Sequence, residues 1–89
     1  MKTPSIHLNG TSGSELLRQY TAAHEAVTHA FRLAQSAAPH GRDYYVQGDD
    51  AIGQALHEHL DRMSRLEDIM IELEGIVCSI QEQLDKRKR

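Results

Sequence analysis

Histidine is the first residue type to consider for metal binding or catalysis in this sequence, since six of the 89 residues are His. His24 and His29 flank Glu25 in an H-E-x-x-x-H pattern, one residue longer than the H-E-x-x-H pattern of zinc proteases. The extra residue turns the second imidazole by about 100° around a helix, so the two rings do not share a face. His57 and His59 are two apart and point to nearly opposite sides. We therefore expect no metal site.

Other reactive side chains lack the partners that catalysis requires. Cys78, the one cysteine, stands next to the apolar Val77 in a helical segment, so we expect a small packed residue and no nucleophile. Gly10 and Gly13 are not followed by the Lys-Ser/Thr ending of a phosphate-binding loop. The sequence predicts no catalytic residue, no cofactor and a protein that is not an enzyme.

Charge and hydropathy restrict the function classes further. The net charge of −3 argues against a dedicated nucleic-acid-binding protein, because phosphate contacts require a concentrated basic face. No apolar run approaches the ~20 residues that span a bilayer, and the first residues lack the apolar block of a secretory signal. With a lone cysteine, these features favour a reducing, cytoplasmic location.

The strongest pattern is a heptad repeat in residues 49–88, which predicts one long helix. Apolar residues recur with three-four spacing over roughly four heptads, and His59 is the only polar member of the seam. That histidine could fix the register or sense pH. The predicted seam comprises Leu56, His59, Met63, Leu66, Met70, Leu73, Val77, Ile80 and Leu84.

A shorter helix is predicted over residues 14–38. Ser12 and Glu15 form an S-x-x-E capping box, and Pro39 ends the helix because it forces Ala38 out of the α region. Leu17 and Phe31 widen its apolar stripe. The stripe itself is predicted to comprise Leu16, Tyr20, Ala23, Val27, Ala30, Ala34 and Ala37.

Residues 1–13 contain no helical period and precede the first helix. Ile6 and Leu8 alternate with polar residues, as in an extended arm that presses two side chains onto another surface, and Asn9-Gly10 signals a turn. A frayed terminus is the alternative. The predicted fold is therefore all-α: an extended arm (1–13) before an antiparallel, coiled-coil-like helical hairpin (14–89), with a loop at 39–48 and a longer second helix.

The unequal helix lengths predict an uncovered surface. Helices of about 36 and 57 Å that meet at the loop would place Leu16 opposite Leu73, so that the end of the second helix has no partner. Burying four large aliphatic side chains is worth on the order of 6–12 kcal/mol, so this end should be covered. The arm could cover part of it with Ile6 and Leu8, but two residues are too few, so we expect another chain to cover the rest. The partner would be a second copy or a different protein. The predicted interaction residues are Leu73, Ile76, Val77, Ile80 and Leu84.

Two further segments could contact partners. The loop carries Arg42, Tyr44 and Tyr45; the rings either fold over the hairpin end as a lid or face a partner, where Tyr and Arg are common hot spots. The basic tail is either a solvated helix end or, as the alternative function, a DNA contact in a small DNA-binding or DNA-packaging module. That tail consists of Lys86, Arg87, Lys88 and Arg89.

Two short segments resemble a group of small tailed-phage and prophage proteins. These are the run from Ile6 to Ser12 before a capped helix, and Gly41-Arg42-Asp43-Tyr44-Tyr45 with Gln47-Gly48 before a second helix. The group has a Pro between the second Tyr and the Gln, where this chain has Val46. The resemblance implies an accessory structural protein near the portal or head–tail junction, or an assembly factor, made in the host cytoplasm. It implies no catalytic residue.

Overall fold

The computed structural model describes residues 1–87 as a helical hairpin about 62 Å long. Helix α1 spans Gly13–Ser36 and helix α2 spans Ala51–Arg87. Two short 3₁₀ turns, Gly41–Asp43 and Tyr45–Gln47, lie in the connection. The predicted fold class, an all-α hairpin with a longer second helix, is confirmed.

Helix α1 begins after a serine cap and ends at Ser36, three residues before Pro39. The Oγ atom of Ser12 accepts a hydrogen bond from the backbone N–H of Glu15 at 3.2 Å. The Glu15 carboxylate bonds forward to Arg18 and Gln19 rather than back to the cap, so half of the predicted capping box is formed. At the other end, the N–H of Ala37 donates to the carbonyl groups of the last turn.

The register of the two helices differs from the predicted one. Gly13, the first residue of α1, packs against Leu84: a methyl group built on Gly13 would lie 2.6 Å from Leu84 Cδ2. Because α1 has 24 residues and is about 36 Å long, it runs back along α2 to the level of Asp61. The expected pairing of Leu16 with Leu73 is therefore wrong. Helix α1 covers the C-terminal two thirds of α2, and the connection covers its first turns.

The predicted seam forms the core. Ile80 is fully buried, and Met63 and His59 are 9% and 8% exposed. Leu66, Met70, Leu73, Val77 and Leu84 are half-buried. Leu56, which is 41% exposed, departs from the pattern because it lies beyond the end of α1. The seam with its polar His59 is thus confirmed from His59 onwards, where it faces the rest of the same chain.

The buried face of α1 is turned slightly from the predicted stripe. Ala30 and Ala37 are exposed, whereas Leu17, His24 and Phe31 are half-buried. The larger side chains bury more apolar surface against α2 than the alanines would, which decides the rotation. Ala37 also lies just past the end of the helix.

The N-terminal arm is ordered against the last turns of α2. The side-chain amide of Gln83 holds its backbone at two points, accepting from the N–H of Ile6 and donating to the carbonyl of Pro4, both at 2.9 Å. Ile6 is half-buried beside Gly13, but Leu8 is 98% exposed, so one of the two expected arm contacts forms. A turn from His7 to Gly10 then leads into α1.

The arm and α1 together correct the expectation of an uncovered end. The five predicted interaction residues of α2 are half-buried or, at Ile80, fully buried inside the single chain. The expectation of an uncovered end assumed that the helices meet directly at the loop, whereas contact of these five residues with another chain stays a prediction. The five residues are Leu73, Ile76, Val77, Ile80 and Leu84.

Candidate docking surfaces

Helix α2 carries a row of exposed residues on a side that does not face α1, which we call the outer stripe. Its members are separated by 4, 11 and 7 residues. These separations are close to whole numbers of helical turns, so the residues share one side of the helix. Three of them directly follow a seam residue and lie about 100° round from the core. The outer stripe comprises Leu56 (41% exposed), Leu60 (67%), Ile71 (58%) and the exposed Cys78.

Two carboxylates interrupt the outer stripe. Glu67 and Glu74 are exposed and fall on the same side of α2. The surface therefore combines aliphatic side chains with negative charge. Cys78 belongs to this surface, so the prediction that it packs inside the protein is wrong; it follows a seam residue and turns out to solvent.

The tyrosine loop divides its residues between packing and exposure. Tyr44 is half-buried against the start of α2, whereas Tyr45 and Val46 are 73% and 76% exposed. Arg42 is also exposed. Tyr44 thus fits the lid interpretation, and Tyr45 and Arg42 remain available for the predicted partner contact.

A hollow of about 170 Å³ lies where this loop packs on α2. Half-buried Ala51 and Ala55 contribute apolar surface to it, together with the ring of Tyr44. The polar groups are more exposed, and the Nε2 atom of Gln54 lies 3.4 Å from a carboxylate oxygen of Glu58. The lining residues are Tyr44, Gln47, Ala51, Gln54, Ala55 and Glu58.

Negative charge dominates the loop end of the molecule. Residues 39–62 contain five carboxylates and two arginines. Asp61 pairs with Arg65 at 3.2 Å, and both side chains are about two-thirds exposed. The carboxylates are Asp43, Asp49, Asp50, Glu58 and Asp61.

The basic tail is partly engaged by the arm. Arg87 donates a hydrogen bond from Nη2 to the carbonyl of Ile6 at 3.0 Å, and Lys86 is exposed. Lys88 and Arg89 lie outside the described residues. The predicted DNA contact by this tail stays a prediction.

The histidines do not assemble into a cluster in the described chain. His24 is half-buried and His29 is exposed on α1, while His59 lies in the seam of α2. Among residues 1–87 no three His, Cys, Asp or Glu side chains are grouped so that they could hold a metal ion. Within the same residues, neither helix combines the length and apolarity that crossing a membrane requires.

Glu15 has the most perturbed carboxyl group of the hairpin. The hydrogen bond from the Arg18 guanidinium, helped by Gln19, lowers the pKa of Glu15 to about 2. Both partners are exposed at the start of α1, so the interaction is screened by solvent. Because this pKa is depressed by folding, the stabilisation is complete above the ordinary pKa of a glutamate and disappears as the pH falls towards 2.

Replacing Arg18 with methionine should raise the pKa of Glu15 towards its ordinary value, because the main donor to its carboxylate is removed. A ¹³C NMR titration of the side-chain carboxyl group measures this directly. Arg32→Met, an equal change at an exposed position of the same helix, should leave the titration unchanged. An unaltered pKa in the Arg18 variant would contradict the assignment.

A scan of protein-family models and searches of curated proteins and solved structures found no match to the chain. The candidate surfaces therefore stand on their own geometry. Sequence reasoning missed the outer stripe because it assigned the apolar residues of α2 to one seam. The available signal was the apolar residue that directly follows a seam position, as at Leu60 and Ile71.

Proposed function

We propose that this chain is a non-enzymatic interaction protein that docks helix against helix in a larger assembly through the outer stripe of α2. The observation that carries the proposal is the exposure of Leu56, Leu60 and Ile71 on one side of the helix. Aliphatic side chains at helical spacing are the anchors by which a helix lies in the groove of a partner.

The energetics favour occupation of this surface. Fully burying a Leu or Ile side chain contributes about 1.5–3 kcal/mol, and the three Leu and Ile side chains of the outer stripe are each more than 40% exposed. Two of the three, Leu60 and Ile71, are more than half exposed. A helix packed along α2 would remove this surface from water without changing the hairpin.

The charge pattern indicates the character of the partner helix. Glu67 and Glu74 lie among the aliphatic residues, so a facing helix that carries Lys or Arg would meet opposite charge. A second copy docked through the same stripe would bring glutamates together. We infer a hetero-complex rather than a homo-oligomer on this surface.

The biological setting of the proposal follows from the two segments that resemble tailed-phage proteins. We infer an accessory or assembly role in the portal or head–tail region of a virion, carried out in the host cytoplasm or within the particle. The docking surface itself does not depend on this setting. The docking surface is tested in the cells that naturally produce the chain, where its partner is present.

Photo-crosslinking from the outer stripe tests the proposal. With p-benzoylphenylalanine in place of Leu60 or Ile71, we expect a discrete crosslinked product of higher mass, because the partner helix lies within reach of the reactive group. Glu72 is the matched control, since it is exposed and lies about 100° round the helix from Ile71. Products that are identical at Glu72, or a chain that stays uncrosslinked at all three positions, would refute the docking surface.

A further inference from the structure

We propose that the hollow under the tyrosine loop is a receptor for a basic side chain, lysine or arginine, of a protein partner. This site is separate from the outer stripe. Glu58 lies two residues before Leu60, which places the two about 200° apart around α2. Binding at the hollow therefore does not require docking on the stripe.

The size of the hollow, and its combination of apolar lining residues with a polar rim, fit a long basic side chain. Its volume of about 170 Å³ is well below the roughly 300–1,000 Å³ of sites for drug-sized ligands. The methyl groups of Ala51 and Ala55 and the ring of Tyr44 offer apolar surface to an aliphatic stem. Lysine and arginine bury such a stem while the charged head stays at a polar rim.

The polar groups of the hollow select a cation. Glu58 lines the hollow, and its carboxylate can accept hydrogen bonds from an ammonium or guanidinium group. Gln54 lies beside that carboxylate and leaves its amide oxygen as a second acceptor. An anion would be repelled by the carboxylate of Glu58, and an apolar head would gain nothing from these solvated acceptors.

The surroundings of the hollow favour a protein as the source of the cation. Tyr45 and Val46, the two residues between its lining members Tyr44 and Gln47, are about three-quarters exposed. Exposed Asp49 and Asp50 add negative charge nearby in the chain. A segment with a basic residue beside apolar ones would contact both features, which is the usual composition of an interface hot spot.

NMR titration of the full chain tests the site with two probes of similar shape. We expect N-acetyl-arginine methylamide to produce saturable shifts in the Tyr44 ring and in the side-chain amides of Gln47 and Gln54. The norleucine derivative, which has an aliphatic stem without the charge, should produce none. Glu58→Gln should weaken the arginine probe about two- to fivefold, the range of a solvent-exposed ion pair. Glu67→Gln, an equal change on the outer stripe, should leave its affinity unchanged.

Two results would overturn the assignment, and a third would support it with a second copy of this chain as the partner. Equal shifts with the norleucine probe would make the hollow a non-selective apolar site. Equal affinity in the Glu58→Gln and Glu67→Gln variants would remove the carboxylate from recognition. Salt-sensitive self-association that disappears when residues 86–89 are deleted would identify a second copy's tail as the occupant. Failure of the crosslinking test at Leu60 and Ile71 leaves these readouts unaffected, so the two proposals fail separately.

Discussion

Replacing Ile80 with alanine is expected to lower the free energy of unfolding by about 2–5 kcal/mol, because a fully buried side chain is truncated and a cavity remains. A domain of this length has a total stability of roughly 4–13 kcal/mol. The substitution therefore removes a large part of it. Chemical denaturation followed by circular dichroism at 222 nm measures the change.

Ile71→Ala is the matched control for this prediction. It makes the same chemical change in the same helix at a position that is 58% exposed, so helix propensity cancels and burial is the remaining difference. Its effect should stay within about 0.5 kcal/mol. If Ile80→Ala instead reduced the native mass and left the denaturation midpoint unchanged, the seam at residues 73–84 would be intermolecular. That outcome would restore the arrangement that the sequence predicted.

Replacing Gln83 with alanine is expected to release the N-terminal arm. The substitution removes the two hydrogen bonds that Gln83 makes, to the N–H of Ile6 and the carbonyl of Pro4, and each contributes about 0.5–1.5 kcal/mol. The amide of Ile6 should then exchange with solvent roughly tenfold faster or more, which corresponds to a loss of at least about 1.4 kcal/mol. Hydrogen exchange at this single amide, resolved by NMR, is the measurement.

Gln81 provides the control, because its side chain bonds to Asp85 within the same helix and does not touch the arm in the structure. Gln81→Ala should leave the exchange of the Ile6 amide unchanged. If the Ile6 amide exchanged as slowly in the Gln83 variant as in the unmodified chain, Arg87 and the packing of Ile6 would hold the arm without the Gln83 side chain. Release of the arm should also expose Leu84 and the surface around Gly13, since Ile6 lies beside both.

These two predictions concern the same structural fact, that the seam face of the C-terminal half of α2 packs against the rest of the chain. Helix α1 covers it along one side and the arm covers it along another. The outer stripe of α2 carries exposed apolar side chains instead, and the hollow lies under the tyrosine loop. For this reason the proposed interactions lie on the outer side of α2 and at the loop end rather than on the seam.

The sequence by itself determined the elements of this protein. The heptad spacing predicted α2 and its seam, including the buried His59, because a residue's position on a helix follows directly from its number. Ser12 and Pro39 predicted the limits of α1 to within two residues, since capping and the missing proline amide act locally. The turn at Asn9-Gly10 could be predicted for the same reason, because it depends on neighbouring residues.

The tertiary structure alone decided how these elements align. Periodicity shows which side of each helix is apolar. Sliding one helix along the other by whole turns keeps the two apolar sides facing each other, so periodicity does not fix the register. The register was set by contacts far apart in the sequence: Gly13 against Leu84, and the backbone of Ile6 on Gln83. The residues left exposed depend on that register. The candidate docking surfaces could therefore be located only after the helices had been placed against each other.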